Sequence, residues 1–435
     1  MNFYNFVSLL GIVIIVFAGW LFSTNRREIN WHIVVWTVGL QMLFAWFLFI
    51  LPSGIKFFLF VNDAVIKVMG ASLAGAEFVF GRMALPPGMV SGSGETSLGF
   101  MLAFQAFPTI IFFSALMAIL YYYNIIPRII RGFAYIFTKL MKVSGAESLC
   151  VASNIFVGVE SALTVRPFLK DMTKSELCTV LTAGMATVSS NVLAIYIFSL
   201  QNVMPNIAGH LISASFLSAP AALAMSKVLL PEEGTPKTLG EHVEIYIEKE
   251  NSLFEAIINS SMAGVRLIVG IVALLIAVLG LVALADQVIG FAGAKINLLF
   301  HLDFDWSLKG ILGILFYPFT VILGIPPADA GILAKIIGER AVATEVTAYQ
   351  DLAKVMAQGV LSDPRSAVIT AYALCGFAHV ASLAIFIGGT AAIVPEKMPV
   401  LAQIGFRSLA AATLACLMTA CVAGVFFVRG SVLLG

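Results

Sequence analysis

Long apolar runs, separated by short clusters of charge, set the rhythm of the chain. Stretches without Asp, Glu, Lys or Arg cover 1–25, 31–55, 96–127, 177–226, 267–285, 310–328, 366–395 and 408–428. A helix needs about 20 apolar residues to cross the hydrocarbon core of a bilayer, so most of these runs predict one span each. The 177–226 run is too long for one and breaks at Gln201-Asn202-Val203-Met204-Pro205-Asn206, a polar turn with a proline. The 310–328 run is set apart because Pro318 and then Pro326-Pro327 interrupt it. The pattern predicts an all-α membrane protein with about eight transmembrane helices.

Other segments carry a different pattern. Residues 127–143 alternate basic and apolar faces at helical spacing, as helices lying on a membrane surface do. Residues 241–262 and 56–70 repeat this more weakly. Residues 83–99, with Pro86-Pro87-Gly88 and Ser91-Gly92-Ser93-Gly94, predict a flexible loop. Lys and Arg set the orientation. They cluster at Arg26 and Arg27, at Arg128, Arg131, Lys139 and Lys142, between Lys227 and Lys249, and at Lys397. Placing all four clusters in the cytoplasm puts both termini outside and requires an even number of crossings. The apolar N-terminus lacks a basic leader and a small-residue cleavage site, so it is expected to be the first span.

Composition narrows the function. Of 435 residues, 60% are hydrophobic and only 11% are charged, against roughly 25% charged in soluble domains. Lipid is therefore the main solvent. The net charge of +1 leaves no basic surplus for phosphates, so nucleic acid is not an expected partner. Cys150, Cys178, Cys375, Cys416 and Cys421 lie in apolar stretches without a C-x-x-C pair, and are read as buried free thiols rather than disulfides or a zinc site. The chain has neither a His-Glu-x-x-His nor a Gly-x-Ser-x-Gly motif, and Ser189-Ser190-Asn191 has no paired base in sequence. An enzyme is not expected.

An internal repeat points to the site. Gly184-Met185-Ala186-Thr187-Val188-Ser189-Ser190 matches Gly376-Phe377-Ala378-His379-Val380-Ala381-Ser382 at Gly, Ala, Val and the last Ser. Both stretches sit mid-span in long uncharged helices, the second of them expected as a broken span. Each is preceded by a segment too polar for an ordinary span: 146–172, with Asn154, Gly158, Glu160 and Arg166, and 326–354, with Gly338, Arg340 and Glu345. These predict two opposed re-entrant hairpins in an inverted repeat, because non-helical backbone survives at membrane depth only where protein or a water-filled cavity solvates it. Paired broken segments of this kind mark the binding site of a secondary transporter. Carboxylates at that depth cost on the order of 3 kcal/mol or more, so Glu160 and Glu345 should pair or bind something. A local salt bridge to Arg166 or Arg340 is the alternative.

The run Gly145-Ala146-Glu147-Ser148-Leu149, then Asn154 to Gly158 and Val165-Arg166-Pro167-Phe168, resembles the concentrative nucleoside transporter family. So do Ala373-Leu374-Cys375-Gly376-Phe377-Ala378 and Ser382 to Gly389. The resemblance runs from about residue 100 to the C-terminus. It implies a homotrimer of eight-span protomers in the inner membrane, importing a nucleoside by symport through an elevator-like shift. Glu160 and Glu345 would lie at the substrate site, with Glu345 and Ser382 on the ribose hydroxyls, Phe377 near the sugar and Val192 on the base. A sodium ion would sit on Asn154, Val157, Thr187 and Val188, and no other cofactor is implied.

Where the family's first tip reads Gly-Gln-Thr-Glu-Ala-Pro, this chain has Gly158-Val159-Glu160-Ser161-Ala162 and lacks the base-reading Gln and Thr. The family's Asn-Glu-Phe is Thr344-Glu345-Val346, and its pocket Asn is His379. Altered specificity follows, for a nucleoside with loose base selection or a related sugar-bearing or heterocyclic solute, and His379 makes proton coupling the alternative to sodium. A channel, or a sensor or scaffold on the same fold, are the rival classes. By this reading 1–100 holds N-terminal spans and an interfacial helix, and 101–143 a scaffold span and the basic interfacial helix. The first transport repeat covers 144–228, a cytoplasmic segment 229–263, and a scaffold span with its connection 264–309. The second repeat covers 310–395 and the last span 396–435.

Overall fold

A computed structural model describes residues 2–90, 94–247, 250–301 and 303–434. Ser91, Gly92 and Ser93 of the expected flexible loop, and Lys249 of the charged loop, lie outside the described residues. Among the described residues the chain forms helices and no strand. In order these are α1 (Phe3–Leu21), α2 (Trp31–Ile50), α3 (Pro52–Phe80), α4 (Leu102–Gln105), α5 (Phe107–Tyr122) and α6 (Ile125–Met141). Then come α7 (Gly145–Ser153), α8 (Arg166–Leu169), α9 (Lys174–Ala186), α10 (Ser190–Leu200), α11 (Ile207–Leu229) and α12 (Leu253–Phe300). The last six are α13 (Leu308–Ile322), α14 (Pro327–Glu339), α15 (Glu345–Ala357), α16 (Pro364–Leu374), α17 (Val380–Ile393) and α18 (Met398–Phe426).

Eight helices among the described residues are long and apolar enough to cross a membrane, but they are not the eight expected. The 366–395 run leaves the set because it is two short helices, α16 and α17. The 52–84 region enters it, because the segment read as an interfacial helix at 56–70 is the middle of α3. At 29 residues, α3 is about 43 Å long. The 267–285 span is likewise part of the 48-residue α12, about 72 Å long, which runs through Arg266 and Asp286. A charge ends an apolar window but not a helix, provided its side chain reaches a polar environment. The weak interfacial helix at 241–262 is not formed as such. Its described residues up to Ser252 are irregular, and Ser252 then starts α12 by accepting a hydrogen bond from the Glu255 N–H. The basic segment 127–143 does form an amphipathic helix: α6 buries Ile126, Ile130, Phe137 and Met141 and exposes Arg128 and Arg131.

Both helices that carry the repeated motif are broken inside it, the first where a continuous span was expected and the second as the broken span expected there. The first stops at Ala186 and restarts at Ser190, and the second stops at Leu374 and restarts at Val380. The breaks are buried against each other. A Cβ on Gly376 would lie 2.4 Å from Cys416 Sγ and 2.9 Å from the Ala186 carbonyl oxygen. Gly184 lies under the ring of Phe386, where a Cβ would come within 2.2 Å of it. Cys416 Sγ lies 3.3 Å from the Cys375 carbonyl and 3.7 Å from that of Ala186, a weak donor at both unwound ends. All five cysteines are buried and unbridged.

Around this centre α9, α11, α16 and α18 pack together, and α1 and α2 lie against α11 and α18. Helix α12 packs mainly on α5, where Gly264 meets Ile111 and Ser114, and α5 in turn lies against α10.

Candidate functional site

Each break faces a tight turn between two short helical arms, and both are joined in the same way. In the first half, α7 ends at Ser153 and a turn leads to the 3-10 segment Val159–Val165. The Ser190 N–H, first in α10, donates to the Phe156 carbonyl of that turn at 3.1 Å. In the second half, α14 and α15 are the arms, and the Val380 N–H, first in α17, donates to the Ala341 carbonyl between them at 3.2 Å. Two of the N–H groups that a helix start leaves unpaired thus hold the turns on the breaks.

The four expected sodium ligands come from the first joint. Asn154 is buried and its amide nitrogen donates to the Cys150 carbonyl at 3.0 Å, while its Oδ1 has no partner. The Thr187 hydroxyl donates to the Ala183 carbonyl at 2.9 Å, leaving its oxygen lone pairs free to face a cation. The Val188 carbonyl accepts only a long bond from Ser215, 3.4 Å. A buried, unsatisfied amide oxygen costs ~1–3 kcal/mol, and a sodium ion would satisfy it. The donor set, neutral oxygens of Asn154, Thr187 and backbone, fits that ion.

At the second joint Glu345 is the first residue of α15 and fully buried. Its Oε1 accepts from the Tyr196 hydroxyl at 2.7 Å, and Tyr196 stacks on Tyr349. Its Oε2 lies 3.2 Å from His379 Nε2, at ion-pair distance but outside hydrogen-bond alignment. His379 is the N-cap of α17: its Nδ1 accepts from the Ser382 N–H at 3.2 Å, and the Ser382 hydroxyl accepts from the His379 N–H at 3.1 Å. With Nδ1 an acceptor, the ring proton belongs on Nε2, facing Glu345. Arg340 donates to the Ala373 carbonyl at 2.6 Å, so its guanidinium serves the end of α16, not Glu345. Glu160 forms no hydrogen bond or ion pair with another described residue. Neither carboxylate closes the local salt bridge considered for it.

A cavity of about 520 Å³ opens between these joints and α12. Glu160, Thr187, Val188, Val192 and Phe377 line it, as do Asn191, Tyr196 and Arg266. A smaller one, about 160 Å³, continues past Glu160 and Asn191 to Val157, Tyr121 and Ser260. Glu345, His379 and Ser382 are buried behind the wall, linked to it through Tyr196 and through Phe377, whose ring lies 4.6 Å from that of His379. Tyr196, Asn191 and Arg266 were missed in the sequence. Tyr196 follows Val192 by one helical turn, and Arg266 borders the 267–285 run; both spacings were readable.

Comparison with known proteins decides the class. Family models described as the N-terminus of Na+ dependent nucleoside transporters, nucleoside recognition, and the C-terminus of Na+ dependent nucleoside transporters match residues 10–83, 103–203 and 210–424. The nucleoside permease NupC of Helicobacter pylori is 34% identical over 431 residues, covering 98% of this chain and 99% of that protein. The chain belongs to the concentrative nucleoside transporter family. Its family is one of membrane transporters rather than enzymes, and the resemblance at both repeats has its explanation. Mouse solute carrier family 28 member 3 is also 34% identical across 97% of this chain, which spans only 59% of that longer relative. The fold agrees. The structure of CNTnw in an inward-facing substrate-bound state superposes with a TM-score of 0.85 at 31% identity, covering 97% of this transporter and 98% of that chain. An outward-facing state of a doubly substituted CNTnw gives 0.87 at 30% identity over 98% of each chain.

Proposed function

We propose that this transporter is a sodium-coupled symporter importing nucleosides across the cell inner membrane. The observation that carries the reading is the first joint, where Asn154 presents an unsatisfied buried oxygen beside the break at Thr187 and Val188 that also lines the solute cavity. Sodium binding there would fix the turn that carries Glu160, and so couple ion and solute. The ribose end of a nucleoside would lie toward Phe377. Glu345 would accept its hydroxyls with Ser382 beside it, exchanging the Tyr196 hydroxyl for a ligand donor. Val192 would pack on the base.

The two joints are the tips of opposed re-entrant hairpins, and the unit carrying them moves against α5 and α12 in an elevator-like step. Residues 144–228 and 310–395 form the two transport repeats. Helix α12 buries only Ala256, Gly264 and Gly293 within the protomer, and this apolar length suits the interface of a homotrimer. Arg26-Arg27, read as a cytoplasmic cluster after α1, support an N-terminus on the outer side, and an even number of crossings would bring the C-terminus to the same side.

The test is uptake of radiolabelled uridine and adenosine into proteoliposomes under an inward sodium gradient. Accumulation that follows the gradient and disappears in Glu345→Gln supports the reading. Equilibration without accumulation would make the protein a channel instead, and accumulation driven by protons alone would remove sodium.

A further inference from the structure

We infer that Arg266, across the cavity from Glu160, makes this transporter select nucleobases with a carbonyl rather than an amino group at the edge far from the ribose. The inference rests on the nucleoside reading above and deepens it. The first hairpin lacks the family's Gln and Thr, so the base edge must be read by other groups.

Two such groups stand on opposite walls. Glu160 enters from the 3-10 segment after the first turn, exposed to the cavity and without a hydrogen-bond or ion-pair partner among the described residues. Arg266 enters from α12, also exposed, and has no hydrogen-bond or ion-pair partner among the described residues, Glu160 included. The rotation of α12 is fixed because Gly264 packs on Ile111 and Ser114 of α5, where a Cβ would come within 2.9 Å. That contact turns Arg266, Gly270, Ala273 and Leu274 toward the cavity, a stripe at helical spacing. Gly270 and Ala273 leave room beside the guanidinium. An arginine that lines the solute cavity with no partner among the described residues is free to donate to a ligand there.

The chemistry then sets the selectivity. A carboxylate only accepts hydrogen bonds and a guanidinium only donates them. With the ribose toward Phe377, the base extends toward α12, and its far substituent meets Arg266. Uracil and hypoxanthine present a carbonyl there with a ring N–H beside it. The carbonyl accepts from Arg266, and the ring N–H donates to Glu160. Cytosine and adenine present an amino group and a bare ring nitrogen at those places, so donor meets donor and acceptor meets acceptor. Arginine reads the carbonyl edge of guanine in nucleic-acid recognition for the same reason, and a site built for one hydrogen-bond pattern rejects its inverse strongly.

The experiment is sodium-driven uptake of uridine, inosine, cytidine and adenosine into proteoliposomes holding the full chain. Wild type, Arg266→Gln and Arg266→Lys are compared. The expected result is a preference of about tenfold or more for uridine over cytidine and for inosine over adenosine in uptake efficiency. The preference falls to about twofold or less in Arg266→Gln and to an intermediate value in Arg266→Lys. Ligand-induced thermal shifts in detergent, with the same four nucleosides, read the same ratios without requiring transport. Equal or inverted preference in wild type, or a ratio unchanged in Arg266→Gln, overturns the inference while leaving a nucleoside transporter. Failure of all four to be taken up or bound overturns the nucleoside reading itself.

Discussion

The two halves of the transporter build the same joint and leave its carboxylate in opposite conditions. Glu160, on the first turn, is exposed to the cavity and has no partner among the described residues. Glu345, after the second turn, is buried, accepts from the Tyr196 hydroxyl and lies 3.2 Å from His379 Nε2. The backbone construction is shared: a first-turn N–H of the restarted helix bonds a carbonyl of the facing turn at 3.1 and 3.2 Å. What differs is the side chain at the restart. Ser189 starts α10 without a side-chain cap, whereas His379 caps α17 and reaches Glu345 as well. A duplicated scaffold can therefore separate two tasks, leaving one joint open to ion and solute and closing the other around a preset acceptor.

The strongest way to break this comparison is Glu345→Gln. Tyr196 can still donate to the amide oxygen, so the fold should hold, but the proposed acceptor for two ribose hydroxyls loses its charge. Charge-assisted hydrogen bonds contribute ~1.5–3 kcal/mol each, so uptake efficiency should fall roughly a hundredfold. Glu160→Gln should cost less, because that carboxylate holds nothing in the protein. Equal losses at the two sites would erase the distinction between the halves.

The next test addresses the contact between the joints. Gly376→Ala places a methyl 2.4 Å from Cys416 Sγ and 2.9 Å from the Ala186 carbonyl. Overpacking of this kind costs about 1–3 kcal/mol. A lowered melting temperature in detergent is expected for Gly376→Ala, and a smaller drop for the double variant with Cys416→Ser or Cys416→Ala. A melting temperature equal to wild type would mean that the breaks are not in firm contact.

How much of this was legible in the sequence follows from what leaves a local mark. Seven of the eight long apolar helices did, because charge-free apolar runs of about 20 residues are scarce outside membranes. So did the two polar segments with Glu160 and Glu345, since ionisable residues stand out against an apolar background. The extent of α12 did not, because Arg266 and Asp286 end an apolar window without ending a helix. The break at Thr187-Val188-Ser189 did not either. It contains no proline or glycine, and it exists because the neighbouring turn supplies a carbonyl to Ser190 in place of the helix's own. The grip of Tyr196 on Glu345 joins residues 149 positions apart, and only the folded chain brings them together. The resemblance pointed to Glu345 and Ser382 as ligands of a solute. The structure adds that they first satisfy each other's neighbourhood.

At the open joint, Asn154→Ala removes the unsatisfied oxygen together with its amide. Losing one neutral ligand oxygen should raise the sodium concentration for half-maximal uptake about tenfold, ~1.4 kcal/mol, while uptake at saturating sodium changes little. An unchanged sodium dependence would move the ion elsewhere.

The smallest effect is expected at His379, and it discriminates most finely. His379→Asn keeps an N-cap that accepts from the Ser382 N–H, since Asn caps helices as well as any residue. It also keeps a donor for Glu345. Stability should change by less than about 1 kcal/mol, and uridine uptake by a few-fold at most. The pH profile between 5.5 and 8 carries the argument. In wild type Nδ1 is held as an acceptor by the Ser382 N–H, a role the Asn side chain also fills, so the two profiles are expected to match. A wild-type profile that rises toward pH 5.5 and flattens in the variant would show that His379 does take up a proton. The closed joint would then also be a site of ion coupling, and the division of labour between the halves would fail at the residue that distinguishes them.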